Sequence, residues 1–547
     1  MRYDITLNTT RWVILSLFSM LTLSPLSAQT DSLLMRDYTF VKQADMWLTS
    51  QNAAALQRFA MPAMAQAQLA LSASDGAFVN YYEAPRSLQA DAAIESFYRY
   101  SPRTVFYGRV AYQNFSGRQM AGSAFINPQR QPFDIVEDSL TNQGDKHRDI
   151  YALTGAFSTL LTSRIAVGAR LDYTAANYAK YKDLRHKNKL MDLQLAAGLY
   201  APIEGVASVG AHYLYHRNTE SITFGTYGTS DKVYKSMVSY ANFTGQLEQF
   251  GSEGFTDKSR EMPLVTNYNG VSLQLSSDEN DGLLPFGIYA AYSYTHGSGY
   301  YGRKSPYTIT YTDHTTDSHQ LQARLSYRPS DAALLFVDFS MNIQQLQNDI
   351  NTYRELKNEA GATYYEYYTP TKAADKTWQD YSLSATLFWG LQQQLPTWTV
   401  KTGVDWNKRR QTAYLFPYLR RQQLHSEQVY AMLSRNIIGK RGVWTLTADA
   451  AFQNGGGQPY EDATLQAPSD KQPQPASMDA YLWREYQYLT AAQLALGATV
   501  RYSFIIPSTR LKTFAQVGIA HRKANEQNTF SAGRRHTAVT LAIGCEF

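Results

Sequence analysis

The chain has 547 residues, of which 44% are hydrophobic, 13% aromatic and 18% charged, with 51 Lys and Arg against 46 Asp and Glu. A mean hydropathy of −0.39 excludes a polytopic helical membrane protein, and past residue 28 no apolar run approaches the roughly 18 residues that a spanning helix needs. Evenly spread apolar residues exclude a disordered chain, and so small a positive excess points to no anionic partner such as nucleic acid.

Residues 1–28 read as a secretory signal: Arg2 and Arg11 form a positive n-region, Trp12 to Leu23 the apolar core, and Ser24 to Ala28 a small-residue cleavage region. Residues 29–63 differ in kind from the rest of the chain. Phe40, Val41, Ala44, Trp47, Leu48, Ala53 to Leu56 and Phe59 recur at roughly helical spacing. They predict a short helical segment, either a tail capping the base of the next domain or a small plug inside it. The one cysteine, Cys545, leaves no disulfide framework and no thiolate metal cluster.

From residue 64 to 547 the dominant signal is strict alternation of apolar and polar residues. Ile165, Val167, Ala169, Leu171 and Tyr173 alternate with Ala166, Gly168, Arg170, Asp172 and Thr174, and Leu335 to Ile343 repeats the design. Side chains alternate across a strand, so each such segment has one apolar and one polar face. About 18 strands are predicted, near 65–73, 89–100, 103–115, 149–161, 164–176, 188–200, 203–216, 266–278, 284–296, 316–328, 332–345, 377–390, 396–408, 424–436, 441–453, 488–504, 509–521 and 535–547.

The links between them alternate in length. Those near 101–102, 162–163, 201–202, 279–283, 329–331, 391–395, 437–440 and 505–508 are short, and those near 116–148, 217–265, 346–376, 409–423 and 454–487 are long. Tight turns at one end and elaborated loops at the other are the pattern of a transmembrane barrel. A propeller would show a repeat of about 40–50 residues, and strands this long exceed what a sandwich uses. The predicted fold is all-β: a single transmembrane antiparallel up-and-down β-barrel of about 18 strands, with 14 or 16 as alternatives.

Aromatic residues support that fold. Tyr213, Tyr215, Tyr292, Tyr294, Trp389, Trp398, Trp406, Trp444, Tyr502 and Phe504 collect toward strand ends on the apolar face, where an interfacial girdle would lie. The last strand places Val539, Leu541, Ile543, Cys545 and the terminal Phe547 on one face, which resembles the recognition signal of bacterial outer-membrane proteins. The expected location is the bacterial outer membrane, with outer-membrane lipid and the assembly machinery as partners.

If the apolar face meets lipid, the alternate positions line the lumen. The candidates are Asp91, Glu95, Arg99, Arg109, Arg170, Asp172, Asp192, Arg324, Asp338, Asp380, Lys401, Asp405, Asp449, Arg501 and Lys512. With both signs present they predict no strong charge selectivity, and paired networks that stiffen the wall are the leading account of them. A wall of about 18 strands without a large plug would enclose an aqueous channel, which long loops such as 217–265 could narrow by folding inward.

Enzyme signatures are absent: there is no G-x-S-x-G, no H-E-x-x-H and no phosphate-binding loop. No cofactor or metal is expected. His212 and His216 share a strand face but sit about 13 Å apart at 3.3 Å per residue, too far to hold one ion. Ser298, His296 and His314 have no spacing that selects them as a hydrolase site. The run Gly455 to Gly457 reads as loop punctuation. Asp31-Ser32-Leu33 and Asp138-Ser139-Leu140 look like the short O-glycosylation tripeptide of Bacteroidota.

The Asn52-Ala-Ala-Ala55-Leu56 stretch, the Tyr-rich hairpins and the terminal Cys545-Glu-Phe547 resemble a family of Bacteroidota outer-membrane barrels, a domain of unknown function. That resemblance implies location and fold only. A receptor driven from the inner membrane is not expected, because about 36 residues separate the leader from the first strand and such a plug needs well over 100. Three functions stay open: a porin-like channel or transport component for small solutes, working alone or beside a larger transporter; a closed scaffold that docks partners through its loops or periplasmic face; and a fatty-substance transporter with an N-terminal hatch, for which about 14 strands are expected.

Overall fold

A computed structural model describes residues 33–137, 142–203, 206–227, 233–250, 262–277, 285–509, 511–525 and 533–547. The expected leader, and Ser32 and Ser139 of the two tripeptides, lie outside them.

Eighteen strands of 12 to 22 residues form one closed sheet, each antiparallel to its neighbours in sequence. Closure is made by Ala63–Asp75, which pairs on one side with Arg86–Ser101 and on the other with the last strand, Arg535–Glu546. The ladder groups therefore find partners within the wall, and the sheet closes on itself without a free edge. The count is 18, not 14 or 16.

The alternation does its work through register. Leu69, Leu71, Leu88, Ile94, Val110 and Leu153 are exposed on the outer face. So are Val539, Ile543 and Phe547 of the terminal strand, whose last backbone groups pair with Ala65. Tyr98, Tyr100 and Phe106 cluster near the short turns, as do Trp444, Tyr502 and Phe504. Tyr381 and Trp406 stack farther up. An exposed apolar belt this continuous, bordered by aromatic rings, is the surface of a membrane barrel rather than of a soluble one.

The wall is taller than the alternation implies, and uneven. Thr371–Gln392 and Val443–Thr464 have 22 residues each, whereas Gln493–Ile506, Leu511–Ala524 and Arg535–Glu546 have 14, 14 and 12. At about 3.3 Å per residue and a tilt of about 40°, 22 residues rise roughly 55 Å, about twice the height of an apolar band. The expected long link at 409–423 is in fact strand, broken only by a tight turn between Leu415 and Tyr418. Arg409, Arg410, Arg420 and Arg421 make both faces polar because neither face meets the belt there, so alternation fades while the ladder continues. Gly455 to Gly457 likewise lie inside a strand, with Gly457 at φ +119° beside a register shift. The strand expected from 488 starts at Gln493. The residues before it form a helix, Asp479–Thr490, with Tyr481, Leu482 and Glu485 buried at helical spacing.

Candidate functional site

Two inserted bodies occupy the lumen, one at each end. The inner floor, at the short-turn end, is built from α1 (Tyr38–Ala44), α2 (Met46–Thr49) and a 3-10 turn, Ala53–Arg58. Each is opened by a side-chain cap: Asp37, Asp45 and Asn52 accept from the amides of Phe40, Trp47 and Ala54. The helices are too short to persist alone, so the wall must hold them.

It does so in three ways. Trp47 is buried edge-on between Tyr200 and Tyr289 and donates its indole N–H to Ser276 Oγ at 2.9 Å. Asn52, 1% exposed, donates to the Leu199 carbonyl and to Gln274 Oε1. Three wall glycines make room for them: a Cβ on Gly168 would sit 2.4 Å from the Ala54 amide, on Gly198 2.1 Å from Asn52 Oδ1, and on Gly210 2.7 Å from the Trp47 ring. Phe59 stacks on Phe97 and Phe40 meets Phe388 edge-on, so the floor touches strands on opposite sides of the barrel.

Many of the expected lumen charges serve this floor. Glu95 accepts from Lys42, and Arg99 donates to the carbonyls of Gln57 and Phe59. Arg324 forks onto Asp338 and reaches the Gln43 carbonyl; Lys512 donates to the Arg36 carbonyl; Arg170 pairs with Asp172 and points at the Ser50 carbonyl. Arg501 and Lys512 share Glu546. Higher up, Asp91 accepts from Gln113, Asp192 binds His216 and Asn218, and Lys401 lies over the Tyr430 ring. Arg109, Asp405 and Asp449 occupy the same inner register at other points of the wall. All fifteen sit on the inner face, twelve of them, Asp380 with Arg130 included, in pairs and contacts spread over the lumen rather than in one constellation.

The outer plug, at the long-loop end, is a unit that the sequence does not announce. Segments Asp134–Glu137, Lys235–Ala241, Thr244–Gln249 and Ala476–Ser477 make a four-stranded sheet, and α3 (Asp479–Thr490) packs beside it. Its attachment to the wall is dry, and both apolar and ionic: Phe125, Phe133, Ile135, Val238 and Tyr240 cluster with Ile222, Phe224, Leu264 and Tyr301 of the wall. Glu137 takes both Lys146 and Lys180, all three nearly devoid of solvent contact. Arg409 forks onto Glu485, Lys376 donates to the Gln131 carbonyl, Arg130 pairs with Asp380, and Glu220 accepts from the Ile126 amide. Inside the plug, Asp134 accepts from Tyr81 at 2.9 Å and Ser123 at 2.5 Å. Burial nonetheless pushes its carboxyl up to about 6, against the pull of those two hydrogen bonds.

Below the plug is a cavity of about 330 Å³, bordered by Arg130, Asp134, Lys376, Trp378, Asp380 and Asn407. Its charges are of both signs and mostly paired, so it presents fixed hydrogen-bonding groups rather than a net field. Among the described residues no group of three or more His, Cys, Asp or Glu could hold a metal. His314 faces inward on Thr266, His296 faces outward on Asp317, and Ser298 is exposed on the outer face, so nothing brings the three together. The plug residues carry a weak sequence signal: Ile135-Val136 and Met237-Val238 are apolar pairs inside links that otherwise read as loops.

The family model described as a family of unknown function (DUF6850) matches residues 53–547. No curated protein matches the sequence. Among solved structures, the ferric preacinetobactin receptor BauA of Acinetobacter baumannii shares 10% identity at a TM-score of 0.40, covering 88% of this chain and 80% of that one. The outer-membrane transporter YddB of Escherichia coli gives 8% and 0.40 over the same shares. The monoaromatic hydrocarbon channel CymD gives 9% and 0.28, over 90% of each chain.

Proposed function

Since the chain belongs to the DUF6850 family of unknown function, its activity must be read from its own geometry, and we propose that it is a gated transport barrel of the outer membrane. In this reading small polar solutes pass through a lumen that the inner floor stoppers at rest. One observation carries it: the floor is a separate piece, seated in a groove of wall glycines and joined to the barrel by one chain connection at Ala63. An eighteen-strand lumen is wide enough for an aqueous path once such a piece leaves. Side chains of the wall alone do not fill it. A permanently open porin is not supported, because segments occupy both ends; in this reading solutes pass beside the fixed plug once the floor has left. The hatch-bearing fatty-substance transporter loses support as well, since its expected 14 strands are not the 18 found.

Planar-bilayer recording tests the reading. The intact barrel should show a quiet baseline with rare openings, and a chain lacking residues 33–62 but keeping its leader should conduct steadily. A deletion variant that folds, by its heat-modifiable mobility on gels, yet never conducts would move the assignment to a closed docking scaffold. That second reading has an observation of its own, the dry ionic attachment of the outer plug.

A further inference from the structure

On the low side of the wall, the outer face carries a basic patch that the transport reading leaves unused. In the last two strands Lys523 stands directly opposite Arg535, and in the second and third strands Arg86 stands directly opposite Arg118. Arg534 is exposed beside them. Between the two pairs lies the first strand with Asp75, whose carboxylate takes Arg86 at 3.3 Å. Arg86, Arg118 and Arg535 are exposed.

Like charges placed directly across neighbouring strands repel, and a sheet normally avoids them. Here the arrangement occurs twice within five adjacent strands, with Asp75 as the acid between the pairs. Such a face is only weakly stable in water, and is stabilised when an anion lies against it.

The position says which anion. Two residues below Arg86 on the same face is Leu88, then Ala90, Ala92 and Ile94; below Arg535 come Thr537, Val539, Leu541, Ile543, Cys545 and Phe547. The patch therefore crowns the apolar belt directly. Arg535 stands twelve residues above Phe547, which at about 3.3 Å per residue and a tilt of about 40° is roughly 30 Å, just beyond an apolar band of about 25 Å. On the tall side strands such as Thr371–Gln392 continue far past this level. On the low side they stop at it, leaving the arginines at headgroup height with their side chains directed away from the lumen.

We propose that this patch binds the phosphate groups of a phosphorylated lipid in the leaflet on the long-loop side, fixing that lipid against the low wall. Guanidinium groups suit this task because they fork onto phosphate oxygens. The inference stands on the membrane belt alone and is independent of whether the lumen conducts.

Native mass spectrometry of the detergent-purified full chain tests it, with bis-phosphorylated lipid A as the probe and its dephosphorylated form as the comparison. The wild type should retain the phosphorylated probe at least tenfold better than the dephosphorylated one. The variant R86Q/R118Q/K523Q/R535Q should lose that preference. A control, R103Q/R164Q/R328Q/K440Q, removes as many charges from the opposite end and should keep it. Millimolar inorganic phosphate should not displace the probe. Equal retention of both probes, equal loss in both variants, or full displacement by free phosphate would each overturn the inference. Heat-modifiable mobility confirms that each variant is folded.

Discussion

The two bodies inside the barrel close it by opposite means. The floor is one continuous stretch, hinged at a single point, and it meets the wall through hydrogen bonds, aromatic edges, the partly exposed Lys42–Glu95 pair and the absence of three Cβ atoms. The plug is assembled from separate loops, each anchored at both ends, and it meets the wall through a buried apolar cluster and through ions buried without water. A body of the first kind can leave as a unit, at the cost of uncovering Tyr38, Trp47, Leu48, Leu56 and Phe59 but without separating a dry ion pair. One of the second kind cannot move without separating charges in a dry interface, which is expensive. The difference assigns the gate to the floor and the fixed end to the plug.

The strongest way to break this contrast is Glu137→Gln. It leaves Lys146 and Lys180, each at most 2% exposed, without the carboxylate they share, and removing one partner from a buried ionic group costs about 3–5 kcal/mol. Hydrogen exchange should show the amides of Asp134–Glu137 opening at least a hundredfold more often, while floor amides keep their rates. If the two bodies loosen together, they are one unit and the contrast is wrong.

Acidity acts on the plug next. The Asp134 carboxyl sits at about 6 in the fold, above its ordinary 3.8, so ionising it disfavours the folded plug. That penalty is fully present above about pH 6, fades as pH falls, and is gone below about pH 4. Its size is on the order of 3 kcal/mol. Tyr81 and Ser123 donate to this carboxylate, and Lys376 and Lys146 face it, all favouring the ion without overcoming burial. Exchange protection of the plug should therefore rise from pH 7 to pH 5, and Asp134→Asn should flatten that rise. A floor with the same pH response would remove the distinction.

Sharpening the other side, Gly198→Ala pushes a Cβ to 2.1 Å from Asn52 Oδ1. Overpacking of this sort costs about 1–3 kcal/mol. Asn52 must shift, and single-channel openings should become at least fivefold more frequent with the plug unaffected. No change in open probability would show that the floor does not gate.

Legibility in the sequence divides along the same line. The barrel strands are visible, because lipid on one side and lumen on the other impose a period of two that nothing else imitates over so many segments. Where both faces are polar, as at Arg409 to Gln411 and Arg420 to Gln423, the ladder persists but the period disappears, and wall reads as loop. The floor is visible as a helical rhythm from Phe40 to Phe59, but its place is not, since Gly168, Gly198 and Gly210 carry no mark in sequence that ties them to Asn52 and Trp47. The plug is the least legible. Glu137 and its two lysines are ordinary charges until the fold brings Lys146 and Lys180 to the same carboxylate, and no local pattern announces a contact between a loop and a wall. The helix at Asp479–Thr490 is hidden for a related reason: its buried face, Tyr481, Leu482 and Glu485, answers to the plug and not to the barrel.

The smallest expected effect concerns an ion pair within the floor itself. Arg58 lies 2.6 Å from Asp45, each with 23% of its side chain exposed. Asp45 also caps α2 through the Trp47 amide, so the pair ties the 3-10 turn to the helix before it, and Arg58 makes one long contact with the wall, to the Tyr200 hydroxyl at 3.5 Å. Partly hydrated pairs contribute about 1 kcal/mol or less. Arg58→Met keeps the stem's packing, leaves Asp45 free to cap, and should lower floor protection by no more than about fivefold, with salt removing most of the difference from wild type. Asp45→Ala takes away the cap as well as the pair, a further loss of roughly 1 kcal/mol, and should open the floor more than Arg58→Met does at any salt concentration. Should the two variants behave alike, the floor would be held by its ionic contacts rather than by its caps and packing, and the assignment of the gate to this detachable piece would have to be given up.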